Sequence, residues 1–163
     1  MDKCLFVDMD GVLCEYHYVT QNQLMTKGYF SSLKPREKTL QAFKGLLAFP
    51  EYDIYILSSV IKECCEQSKA EKNEWLNIYL PEIKPDHRIF PLCGSNKAAA
   101  VKNIGMNDIL IDDHSPNLFM WTNAGGTGIK VLNECNGLKG SFDKGPRVKI
   151  DNINVLLKVL RNL

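Results

Sequence analysis

Three short apolar runs, each stopping at acidic or hydroxyl residues, set the strongest limit on what this chain can form. Leu5, Phe6 and Val7 run into Asp8; Ile54 to Leu57 run into Ser58 and Ser59; Ile109, Leu110 and Ile111 run into Asp112 and Asp113. Continuous apolar runs of this length are what a strand buried on both faces requires. The segments between them read as helices. After Pro35, Leu40, Phe43 and Leu47 recur at helical spacing, and a long polar segment from about Ile61 to Tyr79 turns Trp75, Leu76 and Tyr79 inward. Strands alternating with helices predict an α/β, Rossmann-like fold: a parallel sheet of about five strands with helices on both faces.

The remaining segments fit that frame. A short strand is expected around Arg88 to Phe90, and Ser95 is expected to cap a helix through Ala98 to Val101 that Gly105 ends. Pro116 suits an early helical position, and Ile129 to Val131 form the fifth strand. A loop over 133–146 precedes an amphipathic helix from Ile150 to Leu163. Cys14 to Leu33 is irregular and carries Tyr16, Tyr18, Tyr29 and Phe30, which predicts an insertion lying over the end of the first strand. Residues 1–163 read as a single domain with a small cap insertion at about 14–34.

Composition narrows the partners. With 163 residues, 45% of them apolar, the chain can bury a core without covalent staples. Its 20 basic and 19 acidic residues argue against a nucleic-acid polymer, whose binding rests on many Lys and Arg contacts, but leave room for a small anion. The six cysteines follow neither zinc-site nor small-scaffold disulfide spacing. The chain enters its first strand without a leader pattern, and no apolar stretch approaches the ~18 residues of a membrane span. A cytoplasmic protein without a membrane partner is expected.

Ligands of an open parallel sheet bind beyond the carboxyl ends of its strands. That rule brings Asp8, Asp10, Ser58, Ser59, Asp112 and Asp113 to one crevice, with Lys97 following the short third strand. Each piece has an ordinary reading: an acid pair can cap a helix, serines can make turns, and a lysine can be solvated. Together they need explaining. Two charges ~4 Å apart repel by about 4 kcal/mol at an effective dielectric of ~20. A cluster of acids therefore stays partly protonated or binds a cation, and carboxylate oxygens with a phosphate oxygen suit Mg²⁺.

The string DMDGVL, the strand ending at Ser58, then Lys97 and then ILIDD resemble the four motifs of the haloacid dehalogenase-like superfamily, in the same order. A two-component receiver domain would place its lysine after the other motifs. Within the superfamily the chain is most similar to 5′(3′)-deoxyribonucleotidases, which share DMDGVL, a motif like SSVIK and a Trp-bearing helix like EKNEWL. The resemblance implies a magnesium-dependent phosphomonoester hydrolase working through an aspartyl-phosphate. It makes Asp8 the nucleophile and Asp10 the general acid and base. Asp8, the Asp10 main-chain carbonyl and Asp112 would hold Mg²⁺, and Asp113 would support the metal's waters. Ser58, Ser59, Lys62 and Lys97 would grip the phosphate of a nucleoside monophosphate, and Phe30 would meet its base. The insertion is shorter than that family's usual cap, and His114 stands where an arginine is common. A phosphatase of another small phosphorylated metabolite, or a phosphate-binding module without catalysis, are the alternatives.

Overall fold

The structure is a computed structural model describing residues 3–136 and 142–163. Strands β1 (Lys3–Val7), β2 (Tyr52–Leu57), β3 (Arg88–Ile89), β4 (Asp108–Asp112), β5 (Thr127–Val131) and β6 (Arg147–Val148) form one sheet in the order β3-β2-β1-β4-β5-β6. All neighbours pair in parallel. The chain winds outward from β1 to β3, then crosses back to β4, so the order reverses between β1 and β4. Val7 lies opposite Ile56 on one side and Ile111 on the other. One residue further on, Asp8 comes level with Asp112.

The apolar runs are buried because helices cover both faces. On one side α2 (Glu37–Leu46), α3 (Cys65–Tyr79) and α5 (Ile153–Arg161) pack Leu40, Phe43, Trp75, Leu76 and Leu160 against Leu5, Val7, Ile54, Ile56 and Ile111. On the other, α4 (Ser115–Asn123) and a 3-10 turn at Lys97–Ala100 pack Leu118, Trp121 and Ala98 against Phe6, Leu57 and Leu110. Each fully buried side chain of this kind contributes about 1.5–3 kcal/mol.

Several boundaries differ from expectation. A sixth strand, β6, adds two residues at the β5 edge, from a segment expected to be loop; 137–141 of that loop lie outside the described residues. Ser95 does not cap a helix. Its hydroxyl donates to the Leu92 carbonyl at 2.6 Å, while Asn96 accepts from Ala98 N and caps only the 3-10 turn. The last helix starts at Ile153, behind Asn152, whose side chain accepts from Asn154 N and Val155 N.

The insertion has its own anchors. Its stem closes where Glu15 N donates to Lys34 O at 2.8 Å and Cys14 bridges Pro35. It contains one helical turn, α1 (Gln21–Leu24), held by a capping box between Thr20 and Gln23. The α3 helix then fastens it from the side. The buried Glu71 carboxylate accepts from Gly28 N at 2.7 Å and Phe30 N at 3.0 Å, and Trp75 Nε1 donates to Leu33 O at 2.7 Å. Among the described residues, no helix is long and apolar enough to cross a membrane, and no disulfide joins the cysteines.

Candidate active site

Strand register brings the acidic ends of β1 and β4 together. Asp8, 7% exposed, accepts from Met9 N through Oδ1 at 2.8 Å and places Oδ2 3.0 Å from Lys97 Nζ. Lys97 also reaches Asp112 Oδ2 at 2.8 Å, so one buried ammonium bridges the two strand ends. Asp112 is held further by the Asn117 amide at 2.9 Å and by the backbone N–H of His114 at 2.7 Å. The His114 ring itself is exposed.

Asp113 lies beside them, with Oδ2 accepting from Asn133 Nδ2 at 2.6 Å. Gly11 makes this approach possible. It has φ +78°, and a Cβ there would fall 2.3 Å from Asp113 Oδ2. Glycine is required in this turn both for its backbone and for the space it leaves.

The α3 helix supplies a residue that motif reading missed. Lys72 has no exposed surface and donates to Asp10 Oδ2 at 2.6 Å and to Ser58 Oγ at 2.8 Å. The signal was present in the helix. Its buried positions are Ser68, Glu71, Lys72, Trp75 and Leu76, a helical stripe on which a lysine is out of place unless it meets an anion. Lys62, by contrast, is exposed on the 3-10 turn before α3 and makes no hydrogen bond or ion pair among the described residues. Ser59 is half-buried next to Ser58.

Phe30 is buried beside Lys72. Its ring is 3% exposed, the Lys72 ammonium sits 4.8 Å from its centroid, and Tyr29 meets it edge-on. It supports Lys72 from below and offers no open face for a base to stack on. The open space lies elsewhere. A cleft of about 740 Å³ runs along the insertion stem, between Tyr16, Tyr18, Arg36, Glu134 and Lys149. On the wall of that cleft, burial and then the Asp10 carboxylate push the Tyr16 phenol up to about 12.

Negative charge exceeds positive charge at the strand ends. Carboxylate oxygens of Asp8, Asp112 and Asp113 lie within 4.8 Å of one another, and all three residues are buried. Burial alone would depress Lys97, but Asp112 and Asp8 outweigh it and hold its pKa above the ordinary lysine value. Asp112 is still raised, by burial and by Asp8, against the opposing pull of Lys97. Asp113 rises to about 7, through burial first, then Asp112 and Asp8. A divalent cation would remove this imbalance. Three buried oxygen donors converging in this way fit magnesium.

A parallel sheet with Asp8, Lys97 and the Asp112–Asp113 pair at its switch point is the haloacid dehalogenase-like arrangement, and the chain has that fold. It is similar to a Staphylococcus aureus protein named "Putative 5'(3')-deoxyribonucleotidase", with 31% identity over 120 residues that cover 74% of this chain and 56% of that one. A Staphylococcus epidermidis protein of the same name is 32% identical over 104 residues, covering 64% and 51%. The chain thus spans about half the length of these curated relatives. In structure it is similar to a D,D-heptose 1,7-bisphosphate phosphatase from B. bronchiseptica, complexed with magnesium and phosphate, at TM-score 0.67, 15% identity and 99% of both chains. An L-2-haloacid dehalogenase aligns at TM-score 0.55 and 14% identity, over 83% of this chain and 60% of that one. No family model matches the chain.

Proposed function

We propose that the protein is a magnesium-dependent phosphomonoester hydrolase acting on deoxyribonucleoside monophosphates through an aspartyl-phosphate. The observation that carries this reading is the convergence of Asp8, Asp10, Ser58, Lys72, Lys97, Asp112 and Asp113 at the ends of β1, β2 and β4. The relatives' printed name supports the nucleotide. In this reading residues 14–34 act as a small cap on one catalytic domain, and the chain works in the cytoplasm, which six thiols without a disulfide support.

An Asp8 carboxylate oxygen attacks phosphorus, and the phosphorus–ester bond breaks as Asp10 gives its proton to the departing alcohol oxygen. Asp10 then takes a proton from water, whose oxygen attacks phosphorus and releases the Asp8 carboxylate and inorganic phosphate. Lys97 pairs with Asp8 and fixes the buried carboxylate that attacks. Ser58, Ser59 and Lys72 face the phosphate, with Lys62 at the rim of the same loop. Lys72 has a second effect: a phosphate dianion competes for its ammonium and loosens its contact with Asp10. Asp8, the Asp10 carbonyl and Asp112, with Asp113 beside them, would hold magnesium, which neutralises phosphate charge when bound.

The burial of Phe30 favours a second reading, a phosphatase for a small metabolite without a base. In the nucleotide reading the leaving group lies in the cleft beside Tyr16 and Tyr18. A panel of nucleoside monophosphates and sugar phosphates, assayed with and without magnesium, separates the two by preference. Asp8→Asn is expected to abolish turnover and phosphoenzyme formation; full activity in that variant would remove the nucleophile assignment. Phosphate binding without turnover across the panel would favour a binding module instead.

A further inference from the structure

The geometry points to Lys130 and Asn133, at the end of β5, as a clamp that positions Asp113 and the β1 turn and thereby sets magnesium affinity. This inference rests on the reading that the acid cluster holds the metal. Neither residue belongs to the four motifs: Lys130 lies on β5, which contributes no acid to the site, and Asn133 follows two residues past its end.

Lys130 has no exposed surface. An ammonium has three protons, and this one finds the Asp113 carbonyl, Ser115 Oγ at 2.9 Å and the Asn136 carbonyl at 2.9 Å. It therefore grips the short backbone segment that carries Asp113 into α4. A lysine completely withdrawn from water is costly unless its charge is answered, and the nearest cause of its retention is the acid pair it underpins.

Asn133 completes the grip three residues later. Its amide nitrogen donates to Asp113 Oδ2 at 2.6 Å and to the Gly11 carbonyl at 2.7 Å, while its oxygen accepts from Cys135 N at 3.0 Å and Asn136 N at 2.8 Å. One side chain thus ties the turn after Asp8 and Asp10 to the acid after β4, and is itself fixed by its own loop. Asp113 is held at its main-chain carbonyl by Lys130 and at its carboxylate by Asn133. Metal ligands held by such outer partners commonly lose 10–100-fold in affinity when a partner is removed.

The test is magnesium titration calorimetry, which reads binding without turnover, on wild type, Asn133→Ala, Asp113→Asn and the double variant. Thermal melting in chelator checks that each is folded, and Asn133→Ser, which retains one donor, replaces the alanine variant if that does not fold. Asn133→Ala is expected to weaken magnesium at least tenfold, with no further loss when added to Asp113→Asn, because the clamp acts through that carboxylate. An unchanged affinity, or an equal loss in the Asp113→Asn background, would overturn the clamp and leave the metal site standing. A wild-type protein that binds no magnesium would overturn the metal reading and the clamp with it.

Discussion

A lysine without exposed surface, set between a hydroxyl and a carboxylate, makes sense only where an anion is expected. Lys72 meets that description, and Lys62, ten residues earlier, does not. Lys72→Met keeps the aliphatic stem and removes the charge, so kcat/KM for phosphomonoesters is expected to fall about 100-fold, the scale of losing one preorganised electrostatic contact. Lys62→Met should stay within about twofold. Steady-state kinetics on the two variants would check the pair, and a larger loss at Lys62 would reverse the assignment. Asp8, Asp10, Ser58, Lys97, Asp112 and Asp113 were legible in the sequence because strand ends in a parallel sheet lie together whatever the loops do. Lys72 was obscured because it comes from a helix whose rotation about its axis depends on packing. The facing of Phe30 was obscured for a related reason: an aromatic in an insertion can face a ligand or the core, and the Glu71 anchor bears on which.

At the scale of elements, α3 does more than cover the sheet. Its successive residues Glu71 and Lys72 face different tasks, one holding the insertion backbone and the other holding Asp10 and Ser58. Glu71→Ala would leave the N–H groups of Gly28 and Phe30 without their acceptor, a loss of about 1–3 kcal/mol at the buried Phe30 donor and less at the half-buried Gly28. The expected result is a lower melting temperature and faster proteolytic cleavage within 20–33; an unchanged cleavage rate would show that the insertion is held by other contacts. The buried strands announced themselves through uninterrupted apolar runs. The two residues of β6 could not, since Arg147 and Val148 become a strand only because β5 offers Lys130 and Val131 as partners. The Ser95 cap failed by one residue, because the Asn96 amide lies closer to the first free N–H and takes that bond.

For the molecule as a whole, the acid cluster couples stability to pH and metal. Asp113 stands at about 7 in the folded chain against 3.8 for an ordinary aspartate, so between those values the folded state binds more protons than the unfolded one. Metal-free stability should therefore fall as pH rises from about 4 to about 7 and level off above. Magnesium favours the ionised carboxylate, so the rise in melting temperature it produces should be larger at pH 8 than at pH 5. Melting curves in chelator and in saturating magnesium at both pH values would check this, and equal shifts would count against the metal site. The paired stem of the insertion carries a separate consequence. Because Glu15 and Lys34 are hydrogen-bonded neighbours and Cys14 bridges Pro35, everything between them leaves and rejoins the sheet at one narrow junction. Longer or differently shaped segments could be grafted at that junction without disturbing the strand ends, so, in the proposed reading, selectivity and chemistry can be engineered as separable modules.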